Sequence, residues 1–290
     1  MKNFNFYSYD KILSYNAMIN VLIGERGVGK TYGAKVFALN RFLKKGEQFV
    51  YLRRYKSELT ESVGSEKKQK FFNQVMQEFP DQELKNTSST LLCDNKICGY
   101  AMPLSTAHIL KSASYDKVKT IIFDEFIIDK GVYHYLSNEV DQFLDLLETV
   151  GRLRNIRIFM LGNAISSTNP YFVYFNLSLP YNSDVKLFKD GLILVNYIKN
   201  IEYRDHKKKT RFGKLIEGTK YSEYAIDNQF LRDSKTFIQP KTANSKFYFK
   251  VYYNGLYFGV WIDHKESLRS EERRGGKLFI YRWSPYNLKM

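Results

Sequence analysis

The chain has 290 residues, 44% of them hydrophobic and 16% aromatic, with 45 basic against 30 acidic residues and a formal net charge of +15. With 23 Tyr, 22 Phe and only 2 Cys, this excludes a disordered tail and a disulfide-stapled miniprotein, and leaves room for one large domain plus a smaller appendage on a prior of about 100–200 residues per domain. No apolar run approaches the roughly 18 residues of a membrane span and no signal-peptide core opens the chain, so the expectation is a cytoplasmic protein with no membrane partner.

Residues 1–16 are rich in Tyr, Phe and Asn and read as an ordered lead-in that packs on the first domain. An apolar strand at residues 18–23 then leads into Gly24-Glu25-Arg26-Gly27-Val28-Gly29-Lys30-Thr31, which fits the phosphate-cradling pattern G-x-x-x-x-G-K-[ST] at every fixed position. The plain alternative is a chance match in a glycine-rich turn, and a strand before and a helix after weigh against it. The glycines let consecutive N–H groups and the positive end of the following helix point at phosphate oxygens. Lys30 would reach the β- and γ-phosphates of ATP, and the Thr31 hydroxyl would sit on Mg²⁺. Glu25, Arg26, Val28 and Tyr32 complete the nucleotide-binding set. Ala34, Phe37, Ala38 and Phe42 share one helical face, with Gly46 as a stop.

Residues 48–52 read as a second strand, ending in Arg53-Arg54-Tyr55-Lys56. Basic residues at such a strand end sit where ligands bind in open sheets, or are simple surface charges. Residues 60–70 are polar and read as a flexible loop; residues 71–79 place Phe72, Val75, Met76 and Phe79 on one helical face closed by Pro80. Cys93 and Cys98 flank a hairpin turning at Asp94-Asn95, as buried thiols and not a bridge. His108, His134, His206 and His264 are too scattered for a zinc site. The hairpin at residues 90–102 and a loop with Lys111, Lys117 and Lys119 read as an insertion before the next strand.

That strand, residues 119–123, ends in the adjacent carboxylates Asp124 and Glu125. Side chains alternate along a strand, so the two can do different work: Asp124 fits the Walker B carboxylate of the Mg²⁺ shell, and Glu125 fits the base that activates water. Val140, Phe143, Leu144, Leu147 and Val150 form an amphipathic helix that Gly151 would terminate, placing Arg152 directly after it. Residues 157–161 form a buried strand ending in Gly162-Asn163-Ala164; the Asn163 amide reads either as a γ-phosphate sensor or as a turn residue. With a fifth strand at residues 191–197, the expectation is an α/β P-loop domain over residues 1–200, with an open, largely parallel sheet and helices on both faces.

Residues 201–232 read as a charged helical connection whose densest basic run is Lys207-Lys208-Lys209-Thr210-Arg211. Residues 233–290 read as a small basic β-rich domain, with aromatic strands around Tyr253-Asn254-Gly255, an Asn-Gly suited to a type I′ turn. Residues 201–290 carry 19 basic and 10 acidic groups against 26 and 20 in residues 1–200, so the tail is the more basic part. Such a charge suits a polyanionic partner, with a solvated basic surface as the alternative.

Together, the P-loop octet, Tyr51-Leu52-Arg53-Arg54-Tyr55-Lys56, Ile122-Phe123-Asp124-Glu125-Phe126, Asn163-Ala164-Ile165-Ser166 and Lys209-Thr210-Arg211-Phe212-Gly213-Lys214-Leu215-Ile216 resemble the encapsidation ATPases of phi-29-like bacteriophages, from the N-terminus to about Asp263. The resemblance implies a glutamate-dependent (ASCE-type) P-loop motor forming a ring, a pentamer in that family, which pumps double-stranded DNA into a preformed capsid. It implies action in the host cytoplasm, transiently at the capsid portal, and leaves open a scaffold RNA. It further implies that Arg152 completes the neighbouring subunit's active site, with Arg154 and Arg157 as alternatives. The loops bearing Lys56 and Lys111 become candidates for gripping DNA or signalling between subunits, beside Lys207, Lys208, Lys209 and Arg211. The C-terminal region is expected to resemble part of a ribonuclease H-like domain that has lost catalysis, shortened here beyond Asp263.

The leading reading is therefore a DNA-translocating ATPase, ahead of another P-loop nucleic-acid translocase or helicase-like ATPase. A nucleotide or small-molecule kinase is weakened by Glu125, since a water-activating carboxylate is unhelpful where hydrolysis must be avoided. The Asp-Glu pair likewise argues against an assembly scaffold without turnover. Nuclease action needs converging carboxylates, and residues 240–290 offer only Asp263, Glu266, Glu271 and Glu272.

Overall fold

In a computed structural model, the described residues are 6–107, 114–128, 134–163, 169–180, 183–219, 222, 246–253, 256–263 and 277–283. The chain divides into two units, Met1–Leu231 and Arg232–Met290.

Helix α1 (Asp10–Ser14) inserts Ile12 into the core, and Tyr7 N–H donates to Val28 O at 3.0 Å, tying the segment to the glycine-rich loop. Strand β1 (Ile19–Gly24) is buried throughout, and α2 (Lys30–Lys45) runs back from the loop to a left-handed Gly46. Next come β2 (Gln48–Arg53), α3 (Lys56–Val63) and a two-residue ribbon, β3 (Gly64–Ser65) with β4 (Lys68–Gln69). The expected loop at residues 60–70 is thus helix as far as Val63 and then a short ribbon. Leu59 and Val63 are buried one turn apart, and Glu58 accepts the otherwise orphaned Tyr55 N–H at 2.8 Å.

The expected helix at residues 71–79 is also corrected. The segment is a run of tight turns with successive i→i+3 bonds and a short 3₁₀ turn at Met76–Glu78. Phe71, Phe72, Val75 and Phe79 are buried but Met76 is half exposed. Lys35 Nζ takes the Phe71 carbonyl at 2.7 Å, removing an acceptor that an α-helix would have used.

Strands β5 (Leu84–Asn86), β6 (Thr90–Cys93) and β7 (Lys96–Pro103) follow. The hairpin turns at Asp94 and Asn95, both with positive φ (51° and 59°), and both cysteines are free and buried. It is not a separate insertion: β7 pairs in parallel with β2 and extends the main sheet. Strand β8 (Val118–Asp124), α4 (Glu139–Gly151), β9 (Arg157–Asn163), α5 (Pro170–Phe175), β10 (Val185–Phe188) and β11 (Ile193–Ile198) complete a nine-stranded sheet of order β10-β11-β1-β9-β8-β2-β7-β6-β5. Pairing is parallel from β11 to β7 and antiparallel at both edges. The protein is therefore mixed α/β with a large, mostly parallel sheet.

Side-chain alternation divides the core in two. Leu22, Tyr51, Ile122 and Leu161 pack with α2 and the 71–79 turns, whereas Val21, Val50, Phe123 and Met160 pack with α4 and α5. Gly151 does not take the left-handed conformation expected of a terminator; it is the last helical residue, close to Ile156, and Arg152 itself adopts φ 48°. Two short helices, α6 (Ile201–Lys209) and α7 (Arg211–Ile216), follow β11 within the first unit. None of the helices in the described residues is long and apolar enough to cross a membrane.

In the second unit β12 (Lys246–Tyr253), β13 (Leu256–Asp263) and β14 (Lys277–Trp283) form an antiparallel meander. Tyr253 pairs with Leu256, the expected turn at Asn254-Gly255 lies outside the described residues, and β14 had no expectation in the sequence.

Candidate nucleotide-binding site

Parallel pairing brings the C-terminal ends of the central strands to one edge. Gly24 lies opposite Asn163 and Asp124 opposite Leu161, with Leu52 beside Phe123 one residue before Arg53. The loop after β1 lies on this edge and opens into α2. Gly27 and Gly29 have φ of 86° and 92°, a backbone that side chains rarely adopt, and a Cβ would meet the Tyr203 hydroxyl at Gly27 and the Phe6 side chain at Gly29.

Lys30 is buried, and its Nζ donates to the carbonyls of Gly24 (3.0 Å) and Glu25 (2.6 Å) and to Asn163 Oδ1 (3.4 Å). Burial lowers its ammonium to about 8, against the opposing pull of Asp124 and Glu25. The Thr31 hydroxyl donates to Asp124 at 3.0 Å, and Tyr51 OH donates to Asp124 Oδ2 at 2.9 Å. Burial, reinforced by Asp124, pushes the Tyr51 phenol well up, so it remains a donor.

Glu125 departs from simple strand alternation. Strand β8 ends at Asp124, and Glu125 turns out of it with φ 55°, a strained value for a non-glycine residue and one that recurs at functional sites. Its side chain is 56% exposed while that of Asp124 is 11% exposed, so the two adjacent carboxylates occupy different environments. Arg53 Nη2 donates to Glu125 Oε2 at 2.7 Å and lies 3.6 Å from Glu58, while its Nη1 lies 4.0 Å from Asp124. Next to it, Arg54 forms a fully buried two-bond pair with Glu139, at 2.7 and 2.9 Å, and donates to Phe126 O at 2.6 Å. Tyr171 OH and Leu136 N–H occupy the same carboxylate, so Glu139 anchors the chain after β8.

Lys30, Thr31, Asp124, Glu125 and Asn163 line a cavity of about 790 Å³ that also reaches Phe6, Arg26, Tyr32 and Gln77. The donor set fits a magnesium nucleotide. Lys30 spends its charge on main-chain carbonyls and one amide, a hydroxyl and a carboxylate already face each other at Thr31 and Asp124, and the cavity has the size of small-molecule sites. Among the described residues no cluster of three or more His, Cys, Asp or Glu could hold a metal ion.

Gly24, Glu25, Arg26, Gly27, Val28, Gly29, Lys30, Thr31, Tyr32, Asp124, Glu125 and Asn163 are thus brought together. Arg152 is not. Helix α4 runs from Glu139, beside Arg54, to Gly151, beside Ile156, and so delivers Arg152 to the start of β9, roughly 20 Å of strand from Asn163 at about 3.3 Å per residue. Arg152 is exposed and its side chain makes no hydrogen bond or ion pair among the described residues. Arg154 is engaged by Asp116 at 2.8 Å and Arg157 by Asn16 at 2.7 Å. Lys56 is exposed at the first residue of α3, on the ligand edge, and Lys111 lies outside the described residues. Lys207, Lys208 and Lys209 fall on α6, and Arg211 opens α7.

Sequence reasoning assigned no partner to Arg53 or Arg54, and missed Tyr51, Glu139 and Arg204. The last donates to Glu25 Oε1 at 2.8 Å, and Tyr203 lies against Gly27, so α6 braces the loop. The two arginines had a signal in their position at a strand's C-terminal end; Glu139 and Arg204 had none.

Residues 1–273 match the family model of the podovirus DNA encapsidation protein (Gp16). The DNA packaging protein of Bacillus phage phi29 is 45% identical over 264 residues, covering 91% of this chain and 77% of that protein. The crystal structure of the N-terminal domain of the DNA packaging ATPase from bacteriophage phi29 superimposes with a TM-score of 0.62 at 43% identity, covering 68% of this chain and 98% of that one. A chain of the bacteriophage phi29 viral genome packaging motor assembly matches with a TM-score of 0.66 at 41% identity, covering 96% of this chain and 80% of that one. On its fold, its site and these likenesses, the chain belongs to the podovirus DNA encapsidation protein family.

Proposed function

We propose that this protein hydrolyses ATP in a P-loop site of the glutamate-dependent class and uses the cycle to drive double-stranded viral DNA into a preformed capsid. The observation that carries the reading is the convergence of Lys30, Thr31, Asp124 and Glu125 at one strand edge, with the acidic pair split between a dry and a wet environment. Membership of the encapsidation family, and relatives described as DNA packaging proteins, support DNA as the substrate of the motion.

Magnesium, when bound with the nucleotide, would supply positive charge to offset the charge that develops on the phosphates. Thr31 Oγ1 and Asp124 are the groups that would hold it, with Tyr51 fixing the carboxylate. Lys30 exchanges loop carbonyls for phosphate oxygens, regaining in Coulomb energy what burial costs its charge. Glu125 takes the proton of the attacking water, and for this it must leave Arg53. Arg53 then retains Glu58 and Asp124 as partners, so the exchange leaves no buried cation unpaired. Asn163, within reach of Lys30, is placed to register the γ-phosphate from the neighbouring strand end.

The motor acts as a ring, five-fold in the reading of the family, at the capsid portal in the host cytoplasm, with Arg152 serving the neighbour's site and a scaffold RNA as a further partner. The loops bearing Lys56 and Lys111 and the basic run on α6 and α7 contact DNA or an adjacent subunit. A three-stranded antiparallel meander supports reading the C-terminal unit as part of a ribonuclease H-like domain. The deciding experiment is phosphate release by the full chain with and without duplex DNA at low and high salt. Turnover that duplex DNA stimulates at low salt, without a phosphoryl acceptor, is expected; nucleotide binding without turnover would leave an assembly scaffold instead.

A further inference from the structure

A second cleft, of about 700 Å³, lies at the opposite edge of the sheet, where β1, β8 and β9 begin and α2 ends. Its charged lining is Arg41, Glu47, Lys119, Arg154 and Arg157, four cations against one carboxylate. That carboxylate is already used, because Glu47 receives both Arg41 Nε (2.6 Å) and Arg41 Nη2 (2.7 Å). Arg154 is matched by Asp116. Two cations remain without an acid: Lys119, which makes no hydrogen bond or ion pair among the described residues, and Arg157, whose partner is the neutral amide of Asn16.

Arg157 also keeps Nη1 buried with no acceptor among the described residues. Its guanidinium is pulled below its usual range by burial and by the nearby Arg41. Positive charge is thus gathered beyond what the fold neutralises, in a recess open enough for a ligand and rimmed by the amides of Asn16 and Asn155. Nothing in the ATP site uses these groups, which stand a full strand length away.

We propose that this cleft seats backbone phosphates of a nucleic acid, giving the first unit a contact independent of the P-loop and of the basic tail. A small rotation of Arg157 presents Nη1 to a phosphate oxygen, with Lys119 as a point charge beside it and the amides as neutral donors. Planar guanidinium groups suit phosphate geometry, and donors of this kind read no base, as a protein that must act on any sequence requires. A nucleic acid is favoured over an acidic protein segment because the net charge of +15 draws long polyanions, and each seated phosphate releases counterions.

The test is fluorescence anisotropy of a labelled random-sequence duplex, titrated with Lys119→Gln, Arg157→Gln and the double variant of the full chain at several salt concentrations. Binding of a fluorescent ATP analogue and thermal melting serve as controls for the fold. The double variant is expected to lose affinity on the order of tenfold and to flatten the salt slope by about 2, with each single variant contributing about 1. Unchanged affinity and slope in the double variant overturn the proposal. So does a result in which inorganic phosphate protects the wild-type protein against melting, and not the variants, while duplex affinity stays the same, since that marks a small-anion site. An altered oligomer mass with unchanged duplex affinity points to an acidic surface of a second copy and overturns it equally. Should Arg157→Gln melt early, Lys119→Gln alone decides, because that partly buried lysine side chain makes no hydrogen bond or ion pair among the described residues.

Discussion

Lys30 is held where an ammonium is costly, and its proton is the most sensitive reporter of whether phosphate is present. Burial takes it to about 8, so it is mostly charged at pH 7 and mostly neutral by about pH 9. Phosphate oxygens would restore its proton, so binding ATP above pH 8 requires proton uptake, and affinity should fall by up to about tenfold per pH unit. Stability moves the other way. The unfolded chain keeps this proton up to its ordinary 10.5, so between about 8 and 10.5 the folded protein binds fewer protons and gains stability as pH rises. Lys35, also lowered to about 8 by burial, acts in the same direction. Titrating an ATP analogue and melting the nucleotide-free protein from about pH 7 to 9.5 checks both signs; a flat affinity would mean that Lys30 never gives up its proton. Substitution separates binding from chemistry at the same edge. Lys30→Ala should abolish nucleotide binding, whereas Glu125→Gln should bind ATP normally and lose about 10²–10⁴ in turnover, measured as the analogue's Kd beside kcat. Equal loss of binding in both would make Glu125 part of the metal shell and not the base.

At the scale of elements, α6 leaves β11 and returns to the loop it follows in space, not in sequence. Arg204 closes on Glu25, whose side chain is 1% exposed, and Tyr203 presses its phenol against the left-handed Gly27. Arg204→Ala strands a buried carboxylate beside the phosphates and loosens the loop, so ATP affinity should fall about tenfold, for the roughly 1–3 kcal/mol of an unpaired buried group, with kcat changed less. A kcat loss at constant affinity would instead place Arg204 in the chemistry. This brace also marks the limit of what could be read from the sequence. The convergence of the glycine-rich loop and the Asp124-Glu125 pair was legible because such patterns place fixed residue types in a contiguous run, flanked by a strand period and a helix period. Parallel strands with near-continuous apolar runs were legible for the same reason. The Arg204–Glu25 pair spans 179 positions and the Arg54–Glu139 pair 85, and no local period encodes such partners. The turns at residues 71–79 were misread as helix because their buried positions do follow a helical stripe; a distant lysine on α2 decides the backbone there.

For the molecule as a whole, the proposed role of Arg152 requires an adjacent subunit. Arg152 sits on an exposed corner at the end of α4, with its backbone at φ 48° and Leu153 wholly exposed beside it, a full strand length from the P-loop that would need its charge. An arginine in that place can stabilise transition-state charge only in an adjacent subunit, where such a finger is worth on the order of 10³–10⁵ in rate. Arg154 steadies the corner from below through Asp116 and the carbonyl of Tyr115, so the turn is presented on a braced base. The assignment is tested by mixing two inactive proteins, Lys30→Ala, which keeps its finger, and Arg152→Ala, which keeps its P-loop. In mixed rings some interfaces join an intact P-loop to an intact finger, and partial ATPase activity should return in proportion to their frequency. Mixed rings that form, as judged by mass, yet stay inactive at every mixing ratio would count against a finger in trans unless all subunits must fire together. A ring with that requirement has its own signature: small fractions of either variant added to the wild-type protein would depress turnover far more steeply than dilution alone.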